Sequence, residues 1–306
     1  MEQVIGLLIQ VFFLVFLGML MRKKGLLTDE VQAKLSRLIT RFILPFSILA
    51  SSDRAFDPAM GKGLLLSVLF IVLYFSLATL INYRLGKRIY PDQLKQAGLF
   101  ANCATFANVG FLGFPVISTL LGNDGMIYAV LYNMVFNLFY YTLGLFFISP
   151  KGHSPRKKFV ELLTDPAIMS SIVTILVFVS PFRFPPLAYK TFRMIGDTLT
   201  PFTMFLIGAS LIGIRFKDIF TGRIPYLVSF LRLVFYPALM YIAFLSFPEH
   251  KMAFATLVLL TSLPVGSLNN IFAQVYKLDV DLVTKATIQS MLLMIISLPI
   301  WLMLVL

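Results

Sequence analysis

Apolar runs of about 20 residues follow one another along almost the whole chain, and this pattern sets the solvent before it sets the fold. A helix of about 20 residues is as long as the hydrocarbon core of a bilayer is thick. No water is available there to satisfy a stray backbone group, so the spanning segments must close their hydrogen bonds internally. Of the 306 residues, 58% are hydrophobic, 31 are phenylalanine and only 13% are charged. Soluble domains are roughly 45–50% apolar, and a mean hydropathy of +0.88 leaves an excess that no soluble core would hold. The expected product is an all-α membrane protein with ten transmembrane helices.

The expected spans cover residues 4–21, 31–52, 64–85, 94–121, 126–148, 166–179, 187–211, 224–245, 252–275 and 280–303, numbered here as helices 1 to 10. Helices 2 and 7 each contain a proline, Pro45 and Pro201, and the fourth and ninth regions are interrupted. The net charge of +12 would suggest nucleic acid in a soluble protein. Here the basic residues cluster in short loops, which is a topology signal instead, and nucleic-acid binding is excluded. Loops on one side hold Arg22, Lys23, Lys24, Arg84, Lys87, Arg88, Lys151, Arg156, Lys157, Lys158, Arg215, Lys217, Arg223 and Lys277. Loops on the other hold Arg54, Lys62, Arg183, Lys190 and Lys251. The richer side is expected to be cytoplasmic, with both termini extracytoplasmic in a multi-pass plasma-membrane protein. The first span carries its basic cluster after it and no small-residue cleavage site, so a retained helix is expected rather than a signal peptide.

A displacement of 156 positions brings Pro45-Phe46-Ser47 onto Pro201-Phe202-Thr203, and Asn108-Val109-Gly110 onto Pro264-Val265-Gly266. Two irregularities that recur together at one offset predict a duplicated unit, residues 1–150 and 151–306. Each unit holds five helices. Five is odd, so the second must enter from the opposite face, giving a 5+5 inverted repeat with two broken crossover helices.

Gly110, Gly113 and Pro115 end the regular helix in the fourth region, and Pro264 and Gly266 do so in the ninth. Proline removes a donor and glycine frees the backbone. Irregular backbone at membrane depth is tolerated where it lines a cavity or is buried in protein. The breaks therefore mark a candidate binding site at Asn108, Val109, Gly110, Phe111, Pro264, Val265, Gly266, Asn269 and Asn270, with Gly113, Pro115 and Pro264 as hinges. Half-helix N-termini meeting there would offer free N–H groups and partial positive charge to a small organic anion. Asn133 and Asn137 share a face of helix 5, and Gln289 matches Asn133 at the same offset, so these amides are expected to flank the site.

The run from Asn108 to Pro115 resembles the signature of the auxin efflux carrier family, which includes plant PIN proteins and bacterial carriers of malonate-like acids. The run from Leu263 to Asn270 fits that family's second crossover, and the resemblance covers the whole chain. It implies a fold akin to bile-acid symporters and sodium–proton antiporters. It also implies a carboxylate substrate and an elevator movement of helices 3–5 and 8–10 against a scaffold of helices 1, 2, 6 and 7, in a homodimer joined through the scaffold. The long central loop of some plant members is reduced here to residues 149–163.

Ionisable residues inside a span default to functional candidates. Asp197 in helix 7 is a candidate proton carrier or gate, set against pairing with Arg193 one turn away. Arg232 in helix 8 either attracts the anion or pairs with backbone carbonyls. The lone Cys103 excludes an intramolecular disulfide, and no HExxH, CxxC, paired-acid or Walker motif is present, so no metal, cofactor or enzymatic activity is expected. The expected function is a secondary or facilitative carrier of small carboxylates, with proton coupling as one option. A sodium-coupled symporter of bile-acid-carrier type is the near alternative. A membrane enzyme or sensor is the distant one, since neither a nucleophile at depth nor an output domain is evident.

Overall fold

The computed structural model describes residues 2–53, 60–149, 164–212 and 220–306. The central-loop residues 150–163, together with Arg54, Arg215 and Lys217, lie outside the described residues. Every regular element among the described residues is helical, and the one β-type contact is an isolated antiparallel bridge between Ala107 and Val265.

The chain runs through α1 (Glu2–Lys23), α2 (Asp29–Leu38), α3 (Leu44–Ala50), α4 (Met60–Ile89), α5 (Leu94–Thr105), α6 (Phe114–Phe139), α7 (Leu145–Ile148), α8 (Pro166–Val179), α9 (Pro186–Gly196) and α10 (Leu199–Ser210). It continues through α11 (Arg223–Phe230), α12 (Tyr236–Ser246), α13 (Lys251–Thr261), α14 (Ser267–Val275) and α15 (Val280–Val305). Several starts follow from side-chain caps. Thr28 accepts from Val31 N, Asp165 accepts from Ala167 N and Ile168 N ahead of Pro166, and Asp279 accepts from Leu282 N.

Among the described residues, four helices are long and apolar enough to cross a bilayer: Gly61–Ile89, Val109–Ile148, Arg223–Ser246 and Val280–Val305. Pro166–Val179 is a shorter apolar helix. Large apolar side chains face outward along them, with Leu65 72% and Phe146 76% exposed, and Leu69, Leu73, Leu77 and Leu80 beside them on α4. Such stretches would be aggregation surfaces in water and are ordinary against lipid.

Prolines set most of the irregularities. The N–H that Pro45 lacks belongs opposite the carbonyl of Arg41, and the chain answers with a π-helical turn at Ile39–Ile43 before α3. Pro237 is likewise preceded by a π-helical turn, Leu231–Phe235. Pro201 has a stronger effect: helix 7, read from sequence as one span over 187–211, is divided at Asp197-Thr198 into α9 and α10. Helix 5 begins just after Gly122, whose φ of 61° ends the preceding half-helix inside α6. A left-handed backbone there suits glycine alone among common residues.

The chain forms two compact units. One comprises Met1–Gly61, Gly110–Val130 and Leu163–Ile214; the other comprises Lys62–Val109, Leu131–Leu162 and Arg215–Leu306. In the first, α1 and α10 cross backbone to backbone. A Cβ placed on Gly18 would lie 2.3 Å from Phe205 O, and one on Gly208 would lie 1.9 Å from Val15 O. Small residues permit such close approach between membrane helices. In the same unit Thr174 Oγ1 donates to Ile48 O at 3.0 Å and Gly196 rests on Ser47, which fixes α8 and α9 to α3.

In the second unit, Gly98 of α5 lies against Phe147 of α7, and a cluster of stacked and edge-to-face rings, Phe75, Phe106, Phe136 and Tyr140, fills the interior. In the first unit, the crossing of α1 and α10 leaves no room for a side chain at Gly208. Gly208→Val is expected to lower the thermal midpoint of the detergent-solubilised protein by the equivalent of about 1–3 kcal/mol of overpacking. Ser210→Val, on an exposed face of the same helix, should leave that midpoint unchanged.

Candidate functional site

The two helix breaks meet inside the second unit. After α5 the chain extends through Phe106, Ala107 and Asn108, and after α13 it extends through Pro264 and Val265. The two extended pieces pair antiparallel: Asn108 N donates to Pro264 O at 3.0 Å, and Gly266 N donates to Phe106 O at 3.0 Å. The pairing fits because Gly266 has no side chain; a Cβ there would stand 2.6 Å from Ala107 O. Val265 N donates to Ser290 Oγ of α15 at 3.1 Å, so the backbone freed by the breaks is hydrogen-bonded rather than stranded in an apolar interior.

The carbonyl ends of the two broken helices converge on Arg232. Its side chain is 0% exposed. Nε and Nη2 donate to Leu263 O at 3.1 and 2.9 Å, while Nη1 donates to Thr105 O at 2.7 Å and to the Tyr74 hydroxyl at 3.0 Å. Tyr74 in turn donates to Thr105 O at 3.1 Å. Behind this, Tyr236 donates to Asn82 Oδ1 at 2.8 Å and Asn82 Nδ2 donates to Thr105 Oγ1 at 2.9 Å. Each helix C-terminus carries roughly half a negative charge. Two of them offset the single guanidinium charge without a carboxylate. Of the two roles weighed for Arg232 from sequence, the structure places the guanidinium on the carbonyls.

The amide residues distribute unevenly. Asn108 Nδ2 donates to Ser267 Oγ at 3.2 Å at the start of α14. Val109 is buried, Gly110 and Phe111 are half-buried in the π-helical turn Val109–Gly113, and Gly113 and Pro115 are buried. Asn269 turns back toward α5, with Nδ2 3.4 Å from Phe106 O and 3.5 Å from Asn102 O. Its neighbour Asn270 points elsewhere and pairs with Thr284 of α15 at 3.3 Å. Successive helical residues differ by about 100° in direction, so the two amides were not able to serve one break together. Asn137 donates to Asn133 O within its own helix at 2.8 Å. Gln289 accepts from Ser229 Oγ at 3.3 Å and is fully buried on α15, next to Ser290.

Asp197 stands apart, in the first unit. It is exposed at the end of α9 rather than inside a continuous helix, because Pro201 cannot donate to its carbonyl. Arg193 pairs with Asp53 and not with Asp197. Both Arg193 and Asp197 line a cavity of about 410 Å³ with Ser47, Ser118, Asn123 and Thr200. Tyr74, Asn82, Tyr236, Ser267, Ser290 and Trp301 were not singled out from sequence. Asn82 carried a signal, as an amide inside an apolar run. The tyrosines and serines carried none, since both are common in membrane helices.

Trp301, the one tryptophan, closes the account of α12. Pro237 cannot donate to Leu233 O, and Trp301 Nε1 donates to that carbonyl instead, at 2.8 Å. Trp301→Phe keeps a smaller aromatic ring and removes the donor. It is expected to lower the thermal midpoint by the equivalent of about 1–3 kcal/mol, the cost of an unpaired buried carbonyl.

Helices of membrane-spanning length, with a polar crossing of two broken helices in one unit, define a polytopic membrane protein with an internal polar site. The chain belongs to the membrane transport protein family, the auxin efflux carrier family of the sequence resemblance: the family profile matches residues 3–159 and 154–302. An uncharacterized transporter of Methanothermobacter thermautotrophicus is 26% identical over 294 residues, covering 96% of this chain and 95% of that protein. An uncharacterized transporter of Methanocaldococcus jannaschii is 21% identical over 296 residues, covering 95% of each. The protein is a membrane transporter and not an enzyme.

Proposed function

We propose that the protein carries a small organic anion, a mono- or dicarboxylate, and binds it beside Asn108 and Ser267 where the broken helices resume. The observation that carries this reading is the charge arrangement at the crossing. The carbonyl ends are met by the buried Arg232. No Asp or Glu stands in residues 102–109 or 261–270 to occupy the amide ends. First-turn N–H groups lack intrahelical partners and carry roughly half a positive charge per helix. A carboxylate satisfies both without bringing a cation into the site.

Ten transmembrane helices in two inverted units of 1–150 and 151–306 remain our proposal for the topology, with both termini extracytoplasmic in the plasma membrane. Support comes from the shared offset of 156 positions and from the basic loops. Alternating access is proposed to follow an elevator movement. The grouping of α1–α3 and α8–α10 in one compact unit, and of α4, α5 and α11–α15 in another, supports this reading. Residues 110–130 group with the first unit. A homodimer and proton coupling complete the proposal.

The test is a thermal-shift titration of the purified protein with mono- and dicarboxylates at several pH values, followed by uptake into proteoliposomes. At least one carboxylate should raise the midpoint. Asn108→Ala should weaken its binding about tenfold or more, the loss of one hydrogen bond to a charged group, while expression is retained. Unaltered uptake by Asn108→Ala and by Pro264→Ala would reject this site, and a chain that binds and moves no carboxylate would reject the substrate class.

A further inference from the structure

We propose that the carbonyl ends of the two broken helices form a monovalent-cation site, and that Arg232 occupies it as a tethered ligand, so that this crossover takes no sodium ion there. The inference rests on the transport reading for its consequence, which is coupling; the site itself rests on geometry. Leu263 O accepts two guanidinium N–H groups, Thr105 O accepts a third and the Tyr74 hydroxyl completes the oxygen set. These acceptors come from three separate places along the chain: the end of α5, the second residue past α13 and the middle of α4.

Main-chain carbonyls at half-helix C-termini are the ligands by which discontinuous helices hold small cations. The site is fully enclosed, and among the described residues no carboxylate pairs with Arg232. Removing a charge from water costs several kcal/mol even after relaxation. A guanidinium this deep is therefore stable because the surrounding oxygens already favour a cation. The corollary is that the oxygens require one. With the guanidinium removed, the two helix ends, each roughly half negative, would face each other across an unfilled space.

Truncation of Arg232 should thus expose a site for a soluble cation. The full-length Arg232→Ala protein, purified in detergent, is melted in millimolar guanidinium chloride, sodium chloride or choline chloride at constant ionic strength. We expect its midpoint in choline to fall several degrees below wild type, and guanidinium or sodium to restore much of the loss. Wild type should melt identically in all three salts. Arg232→Lys, which keeps a cation within reach of one carbonyl, should recover part of the loss without added salt.

A midpoint for Arg232→Ala that no cation moves, or one equal to wild type, overturns the inference. Should that variant not be purified, wild-type uptake decides: it should be unchanged when sodium is replaced by choline on both sides of the membrane, and sodium-dependent uptake overturns the inference. If wild type binds no carboxylate, the substrate reading fails while the melting comparison still decides the cation site.

Discussion

One buried guanidinium holds the centre of the second unit. A helix that stops at membrane depth exposes carbonyls that neither lipid nor water can satisfy, and two helices stop within a few ångströms of each other at Thr105 and Leu263. Separately, each end would need its own donor. Together they share Arg232, whose planar fork reaches both at once, a geometry that an ammonium on a flexible stem could not reproduce. The carbonyls stabilise a charge that would otherwise be prohibitively costly in that place, and the charge stabilises ends that would otherwise repel. Tyr74 and the Asn82–Tyr236 pair fix the surrounding polar groups, so the clamp is buried in a network whose members mostly have partners.

A second constraint is imposed by proline. Pro45, Pro201 and Pro237 each withhold a donor from the carbonyl four residues earlier, and the chain resolves the three cases in two ways. Before Pro45 and Pro237 the helix widens into a π-helical turn, and at Pro201 it divides. The π-helical turn before Pro237 includes Arg232. The proline thus shapes the local backbone that carries the guanidinium, and Trp301 satisfies the carbonyl that the same proline releases. A residue outside the crossover in sequence is in this way part of what presents Arg232 to it.

These devices were unequally legible in the sequence. The breaks at 108–110 and 264–266 were readable because glycine and proline act locally, and their effect on a helix needs no knowledge of neighbours. Helix 6 at 166–179 was readable for the same reason, with Asp165 and Pro166 marking its start. The partners of Arg232 were not: an arginine in an apolar span announces that it must be satisfied, but carbonyls from residues 105 and 263 are brought to it only by tertiary structure. Asn269 and Asn270 were equivalent as letters, and helical geometry separated them. The sequence places Asp197 inside a helix, since a proline four residues downstream permits either a kink or a break, and here the chain breaks.

The charge arrangement at the crossing gives a direction to the chemistry. Two broken helices produce two negative ends and two positive ends. The negative ends are matched inside the chain by an arginine, in a part of the sequence where arginine is costly. No Asp or Glu stands in residues 102–109 or 261–270 to meet the positive ends, and Asn108 and Ser267, which bond to each other, are neutral. Had both kinds of end been given fixed counter-charges, the crossing would be a rigid structural joint with no vacancy for a solute. Had neither been, an anion and a cation would have to bind together to neutralise it. On the proposed reading, a fixed charge on one side alone leaves a remaining imbalance that is positive. On that reading, an anion bound there would complete the electrostatics of the fold, and its departure would return the crossing to a state that favours capturing another.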